Sequence, residues 1–246
     1  MIRGLYTAAS GMIYENRRQE NVAQNIANIQ TPGFKQSYIS AISQDKVVSN
    51  NNGRTELGSL TLKVAIDQQI LSLAQGDLRP SEAPLDFAIE GNGFFTLQGP
   101  NGNLYTRDGR FHVDETGILV SKDGYPVLVM DAQGNQQTIQ ANEEMSVSQT
   151  GTFNVANGTY QFVISNIANA DQLVYQGDSV FAYNGPVGIQ QTGFTIHQNM
   201  LEGANVNATD ALVEMISVNR SLQTNSKVLT TIDETLKSSV SEIGRV

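Results

Sequence analysis

Apolar residues recur at helical spacing at both ends of this chain. Near the N-terminus the stripe is interrupted by a polar patch from Glu15 to Glu20, in which Asn16 and Gln19 occupy positions where the apolar face should continue. Thr31-Pro32-Gly33 ends the helix, because proline disfavours the helical conformation of the residue before it. The pattern predicts an N-terminal helix that is under-stabilised alone, with apolar positions Ile2, Leu5, Tyr6, Ala9, Met12, Ile13, Val22, Ala23, Ile26 and Ile29.

A longer helix is predicted from about Asn207 to Ile243. Asn207 is a suitable N-cap, with Asp210 three residues on, and Gly244 stands where a C-terminal cap is expected. About 36 residues make a rod of roughly 54 Å, which is too long for one face of a small β domain. The helix must therefore pack on another helix, through heptad positions Ala208, Ala211, Met215, Val218, Leu222, Asn225, Leu229, Ile232, Leu236, Ser239 and Ile243.

Between these segments the chain has the pattern of short strands separated by turns. The run from Ser49 to Gly53 is typical of a loop tip or a flexible connection. Turn signals about every ten residues, with Val and Ile between them, indicate a compact antiparallel β domain. Strands are predicted at 60–66, within 85–110, and at 153–155, 160–165, 173–175 and 180–183, and turns at 114–117, 122–124 and 131–135.

Together these patterns predict an α+β fold, in which N- and C-terminal helices pair as an elongated coiled-coil-like element beside a central, mainly antiparallel β domain. We expect the terminal helical domain to consist of an N-terminal helix in residues 1–33 and a C-terminal helix in residues 201–246. Residues 34–84 would form a linker and β-rich connecting segment, and residues 85–200 the central β domain. Helices confined to the two ends favour a structural building block over an enzyme.

Composition narrows the function classes. The formal net charge is −9, which argues against nucleic acid as a partner, because binding a phosphate backbone needs a clustered basic surface. The absence of cysteine excludes disulfides, thiolate metal sites and cysteine nucleophiles. No segment has the ~18 consecutive apolar residues that membrane insertion requires. The N-terminal stripe is broken by small and polar residues, so we expect either a cytoplasmic protein or export without a cleavable signal peptide.

Candidate chemistry is sparse. The two histidines, His112 and His197, are isolated in predicted strands and make no metal-site pattern. Asp108, Asp114 and Glu115 could form a carboxylate pair for glycoside hydrolysis, but each lies in a turn motif, where Asp is used for local hydrogen bonds. We therefore expect no catalytic, cofactor-binding or metal-binding residues and no cofactor.

Three motifs in the expected order resemble the flagellar basal-body rod and hook family. GLYTAASGM followed by NVAQNIANIQTPGFK, Gly4 to Lys35, is similar to the family's N-terminal motif, which ends in Thr-Pro-Gly-Phe-Lys. Residues 85–110 resemble its Gly-Phe-Phe and Tyr-Thr-Arg-Asp-Gly segments, and residues 201–236 resemble its closing helix motif. Leu222 stands where the family has an aromatic residue, and residues 136–193 match no motif.

The resemblance implies a structural subunit of the flagellar basal-body rod, exported by the flagellar type III apparatus, that self-assembles through its terminal helices into a tube which transmits torque and encloses the export channel. Its partners would be copies of itself and other rod and hook proteins. Asn16, Gln19 and Asn225 would fix the register of helix pairing. The predicted self-assembly residues are Leu5, Ala9, Met12, Asn16, Gln19, Val22, Ile26, Met215, Val218, Leu222, Asn225, Leu229, Ile232 and Leu236.

Three alternatives stay open at this point. A hook-type subunit belongs to the same class, although such proteins are usually longer. A rod-associated peptidoglycan hydrolase is a different class and would have to use the carboxylates near Asp108. An export chaperone is disfavoured by the large β-rich middle.

Overall fold

The computed structural model describes residues 2–49, 56–141, 145–155, 158–167, 169–177, 179–190 and 192–243. Two long helices lie at the ends, α1 at Ile2–Ala27 and α2 at Ala208–Ile243. A short 3-10 helix spans Ala170–Gln172. The strands are β1 Ser37–Ser49, β2 Glu56–Leu71, β3 Leu78–Pro80, β4 Phe87–Gly91, β5 Phe94–Gly99, β6 Gly102–Thr106, β7 Phe111–Val113, β8 Leu119–Ser121, β9 Val129–Asp131, β10 Gln136–Gln137, β11 Thr152–Val155, β12 Gly158–Phe162, β13 Ile164–Asn166, β14 Leu173–Gly177, β15 Val180–Tyr183, β16 Gly188–Gln190, β17 Phe194–Gln198 and β18 Met200–Glu202.

The predicted α+β class, with terminal helices and a central antiparallel β domain, is confirmed. The chain forms two compact units. The terminal unit comprises Met1–Ile26, Ser37–Ile70 and Asn207–Val246, and the central unit comprises Ala27–Gln36 and Leu71–Val206. The terminal unit therefore contains both helices, the β1–β2 pair and almost nothing else.

The structure confirms the N-terminal helix and adds a strand after it. Helix α1 continues without a break through Glu15–Glu20, where the apolar stripe is interrupted. Strand β1 begins at Ser37 and pairs with β2, in a segment predicted only as a linker and β-rich connection with no individual strand before residue 60. The cleanly alternating β2 supplies the partner, and pairing of this kind overrides the weak strand propensity of β1. Residues 50–53 of the predicted loop and Gly244 lie outside the described residues.

The central unit is built on antiparallel strands. The larger sheet has the order β14-β15-β6-β5-β13-β16 and a smaller one has the order β10-β9-β12-β11. The core of this unit is rich in aromatic rings, with the ring centroids of Phe95 and Phe111 5.1 Å apart and those of Phe87 and Phe162 5.2 Å apart. The strands predicted at 153–155, 173–175 and 180–183 are confirmed, and the one predicted at 160–165 is divided between β12 and β13.

The predicted turns close through local hydrogen bonds. The amide of Gly117 donates to Asp114 O at 3.0 Å, and the amide of Gly134 donates to Asp131 O at 3.0 Å. At the start of α2, Asn207 Oδ1 accepts from the amide of Thr209 at 2.9 Å, as the N-cap prediction requires. The carboxylates bind the same turns, since Asp114 Oδ1 accepts from the amide of Thr116 and Asp131 Oδ1 accepts from the amide of Gln133, both at 2.9 Å.

Gly33 lies in the turn after α1, where the backbone of Asp108 leaves no room for a side chain. Its φ is +68°, and a Cβ atom placed there would lie 2.2 Å from the amide nitrogen of Asp108. Its own amide donates to Glu202 O at 2.7 Å. Both the backbone conformation and the contact therefore exclude a side chain at this position.

We predict that Gly33→Ala lowers the free energy of unfolding by about 3 kcal/mol or more, since it adds a backbone clash to the left-handed strain. Gly134→Ala is the matched control, because Gly134 has φ +87° and nothing within 4 Å of the added Cβ. That control should lose only about 1–2 kcal/mol. Chemical denaturation of both variants measures the difference, and equal losses would contradict the role of the Asp108 contact.

Candidate functional site: the helix pair and a buried charge cluster

Helices α1 and α2 contact each other in the terminal unit, in antiparallel order. Arg18 Nη2 lies 2.9 Å from Glu214 Oε1, and Gln19 Nε2 donates to Asn219 Oδ1 at 3.2 Å. A Cβ atom on Gly11 would lie 3.3 Å from the Asn225 amide nitrogen. As positions advance along α1, the contacted positions on α2 move back. Each helix thus covers part of the other.

Small residues on α1 permit this close approach. Gly4, Ala8 and Gly11 fall on one face, and Ala8 is buried, while a Cβ atom on Gly4 would lie 3.5 Å from Ile232. The motif GLYTAASGM therefore has a packing explanation. Its small positions let the backbone of α1 lie close to α2.

The predicted self-assembly residues are covered to different degrees. Leu5 and Asn16 are exposed, whereas Val22 and Val218 are buried, with exposed fractions of 2% and 0%. The others are half-buried: Ala9, Met12, Gln19, Ile26, Met215, Leu222, Asn225, Leu229, Ile232 and Leu236. The helix contact within one chain thus leaves most of these side chains partly accessible.

Several apolar side chains outside that prediction are more exposed than the seam itself. They lie on both helices, and the described part of the chain leaves more than half of each side chain exposed. The largest exposed fractions are those of Tyr6 67%, Ile13 62%, Leu212 54%, Val213 62%, Ile216 55% and Val240 71%. Sequence periodicity placed Tyr6 and Ile13 in the apolar stripe, but the α2 residues fall outside its heptad seam.

The central unit contains a buried charge cluster in which one carboxylate serves two cations. Glu202 Oε1 lies 2.7 Å from Lys35 Nζ, and Glu202 Oε2 lies 2.9 Å from Arg107 Nη1. The three side chains are only 0%, 1% and 3% exposed, in the order Glu202, Lys35 and Arg107. Two cations and one anion leave a net positive charge in the interior.

Backbone carbonyl groups solvate the excess charge. Lys35 Nζ donates to Ala74 O at 2.8 Å, and Arg107 Nη2 donates to Gly91 O at 2.7 Å. The Arg107 guanidinium carbon also lies 5.3 Å from the centre of the Phe94 ring, in the range of a cation–π contact. Burial lowers the pKa of Lys35 and of Arg107, and the charge of Glu202 opposes that shift in both.

The cluster joins segments that are far apart in sequence. The amide of Gly76 donates to Glu202 Oε1 at 2.9 Å. Asn205 Oδ1 accepts from the amide of Gln36 at 2.6 Å, and its Nδ2 donates to Ser72 O at 3.0 Å. Residues 33–36, 72–76 and 202–205 are therefore bound together, and each of these segments adjoins a point where the chain passes from one unit to the other.

Three of the five candidate catalytic and metal-binding side chains, Asp108, Asp114 and His197, have structural partners. Asp108 pairs with Arg110, and Asp114 accepts hydrogen bonds from Thr116 and Ile118 that lower the pKa of its carboxyl group. A general acid needs the opposite shift. His197 Nε2 lies 2.7 Å from Glu90 Oε2 across paired strands. Across the described ranges, no three His, Asp or Glu side chains gather as a metal site, and neither described helix has an apolar stretch that would span a bilayer.

Three family descriptions match separate segments of this chain. Residues 5–35 match the description "Flagella basal body rod protein", residues 88–155 match "Flagellar hook protein FlgE/F/G D1 domain", and residues 197–242 match "Flagellar basal body rod FlgEFG protein C-terminal". Lys35, Arg107 and Glu202 each come from a different one of these segments.

Full-length relatives give the same result. The flagellar basal-body rod protein FlgG of Bacillus subtilis is 31% identical, with 96% of this chain and 97% of the relative covered. The chain belongs to the flagellar basal-body rod protein family. The FlgG of Borreliella burgdorferi is 32% identical with 96% and 97% coverage, and the FlgF of Caulobacter vibrioides is 31% identical with 100% of both chains covered.

This membership confirms the resemblance found in the sequence motifs, and the protein is a structural subunit of the flagellar basal-body rod. Sequence reasoning nevertheless missed the charge cluster of the rod-family chain. Lys35 was noted only as the last letter of the Thr-Pro-Gly-Phe-Lys motif, and Glu202 only as part of the closing motif. Each motif contains a charged residue, which could have indicated a shared charge cluster. Nothing in the spacing of the motifs, however, indicated that these charged side chains contact one another.

We predict that Glu202→Gln costs about 3–5 kcal/mol of unfolding free energy, because it leaves two buried cations without an anion. Lys35→Met should cost less, about 1–3 kcal/mol, since it leaves a balanced Arg107–Glu202 pair. In the double variant the loss should be smaller than the sum of the two, because only one unpaired cation remains. Denaturant titration of the three variants checks this order, and a costlier Lys35→Met would contradict it.

The lowered pKa of Lys35 gives a pH dependence. Just below the ordinary pKa of lysine, the unfolded chain binds more protons at this position than the folded chain, so the unfolding free energy rises with pH. The difference in unfolding free energy between the natural chain and Lys35→Met should therefore grow in favour of the natural chain as pH rises through that interval. Paired urea titrations at neutral and alkaline pH test it, and a constant difference would show that the burial of Lys35 carries no proton linkage.

Proposed function

We propose that this rod-family protein polymerises through its terminal helices into a helical tube that transmits torque and encloses the export channel. The observation that carries the proposal is the incomplete burial of the helix pair. Ten of the predicted assembly residues are half-buried, and α2 keeps exposed apolar side chains such as Val213 and Ile216. Contiguous apolar surface of this kind marks a protein interaction site.

Contact between the two helices leaves the apolar side chains of both only partly buried. A long helix in a globular protein draws most of its stability from packing of its apolar face. Here α2 has α1 as its partner along part of its length, and the seam beyond Ile232, at Leu236 and Ser239, is itself only half-buried. Neighbouring copies would complete the cover, which favours helical pairing of a coiled-coil-like kind in the assembled state.

The proposed partners are further copies of this chain and other axial proteins of the rod and hook, with export through the flagellar type III apparatus. The division of the chain at residues 33, 84 and 200 stays a prediction, as do the register roles of Asn16, Gln19 and Asn225. Gln19 does contact Asn219, which is consistent with a polar register contact between the helices. The relatives compared above are rod proteins of nearly the same length, which favours the rod over a hook-type subunit.

The hydrolase alternative has no comparable support. Its candidate acids are held by Arg110 and by turn amides, and the family is structural. Muramidase activity of the purified protein would be the finding that revives it.

We predict that Leu229→Asp removes the chain from purified basal bodies and abolishes motility, since it puts a charge on the half-buried seam. Thr231→Asp, two residues later on the exposed side of α2, is the matched control and should assemble normally. Immunoblots of basal bodies and swimming assays measure both variants, and circular dichroism confirms that each monomer retains its strands. Normal incorporation of Leu229→Asp would contradict assembly through this helix face.

A further inference from the structure

The net charge of this chain resides in one of its two units. The terminal unit, residues 1–26, 37–70 and 207–246, has ten basic and ten acidic residues. The central unit has five basic and fourteen acidic residues, so its formal charge is −9, which is the value for the whole chain. The unit that contains the two long helices is therefore neutral, and the central unit is strongly anionic.

The basic residues of the central unit do little to neutralise its surface. Two of the five, Lys35 and Arg107, are buried in the cluster around Glu202, and the exposed ones are Arg79 and Lys122. Acidic side chains that are exposed or half-buried are more numerous. They are Asp77, Glu82, Glu90, Asp114, Glu115, Asp123, Asp131 and Asp171. The negative charge of this unit therefore lies largely where another molecule would meet it.

The terminal unit combines paired charges with exposed apolar side chains. Arg17 Nη1 lies 3.0 Å from Glu20 Oε2, and Arg18 is bonded to Glu214. Val213 is one of the apolar side chains that have more than half of their surface exposed. Contacts between apolar surfaces are not weakened when salt screens charges, whereas contacts made by surface ion pairs are. Attraction through this unit should therefore survive high salt.

We propose that copies of this chain attach to one another through the terminal unit alone, and that repulsion between their central units opposes polymerisation. The inference rests on the proposed self-assembly and adds its dependence on ionic strength. Each added copy brings a further charge of −9 to the polymer, wherever the central units lie in it. Like charges gathered in this way destabilise the assembled state.

Salt shortens the range of that repulsion, from about 30 Å at 0.01 M to about 10 Å at 0.1 M and about 3 Å at 1 M. At low ionic strength the charge of the central unit keeps the free chain monomeric, although the helices expose apolar surface. At higher ionic strength the repulsion is lost and the apolar contact remains. The two units thus act in opposite directions on assembly, and the salt concentration decides the balance.

The sign of the salt effect tests the proposal in the full-length chain. The critical concentration for polymerisation should fall about tenfold between about 0.02 M and about 0.5 M NaCl, because salt screens the repulsion and not the apolar contact. Sedimentation of purified protein over a concentration series at each salt concentration measures it. A critical concentration that rises with salt, or that does not change, would overturn the proposal.

Charge reversal in the central unit provides the second test. Glu82, Glu115 and Asp171 are exposed and form no hydrogen bond or ion pair within the described ranges. The triple variant Glu82→Lys/Glu115→Lys/Asp171→Lys changes the charge of the unit from −9 to −3, because each reversal adds two positive charges. At about 0.02 M NaCl its critical concentration should be about tenfold lower than that of the natural chain, and its response to salt should be several-fold smaller.

The matched control keeps the charge at the same three positions. Glu82→Asp/Glu115→Asp/Asp171→Glu should polymerise like the natural chain at every salt concentration, and circular dichroism verifies that both variants retain their strands. If the reversal variant has the critical concentration of the natural chain at low salt, or responds to salt equally, repulsion between central units is overturned while self-assembly stands. If the natural chain polymerises at no salt concentration, the proposed function fails and the inference falls with it.

Discussion

The sharing of one buried carboxylate by two cations is the constraint on which the central unit depends. Glu202 cannot be removed without leaving Lys35 and Arg107 charged in the interior, and neither cation satisfies the carboxylate alone, because each bonds a different oxygen. Buried ion pairs contribute little net stability by comparison with apolar packing, but the loss of one partner is costly. We infer that the cluster selects one arrangement of the segments that carry it, because another arrangement would leave a buried charge unpaired.

The cluster brings together the three family motifs, which lie far apart along the chain. The motif after α1, the Tyr-Thr-Arg-Asp-Gly segment and the motif before α2 each supply one member of the cluster. Gly33 lies beside the same cluster, because its backbone contacts that of Asp108 and its amide donates to the backbone oxygen of Glu202. Motifs separated by about 70–95 residues thus describe one three-dimensional site, with each contributing a charge, a turn or a close contact.

The helix pair is held by close packing of small residues and not by buried charges. Its inner side is made of small residues, such as Gly4 and Gly11, which let two backbones approach closely, while apolar side chains such as Ile13 and Val213 remain outside. A folded protein that keeps such residues exposed gives up hydrophobic stabilisation in the monomer, at about 25 cal/mol for each Å² left in water. In a structural subunit of the basal-body rod, the apolar surface that lowers the stability of the monomer is available for contacts with neighbours.

Sequence alone determined the elements whose signals are local. The heptads and the Asn207 cap fixed α2, the Asp-Gly turns fixed the β hairpins, and the motifs identified the rod family, because helix periodicity, capping and turn chemistry act within a few residues. Only the tertiary structure decided the rest. Strand β1 exists because β2 pairs with it, and Lys35 is buried because Glu202 and Arg107 arrive from distant positions. Each of these depends on a partner far away along the chain, and a sequence pattern carries no record of which distant residue will supply it.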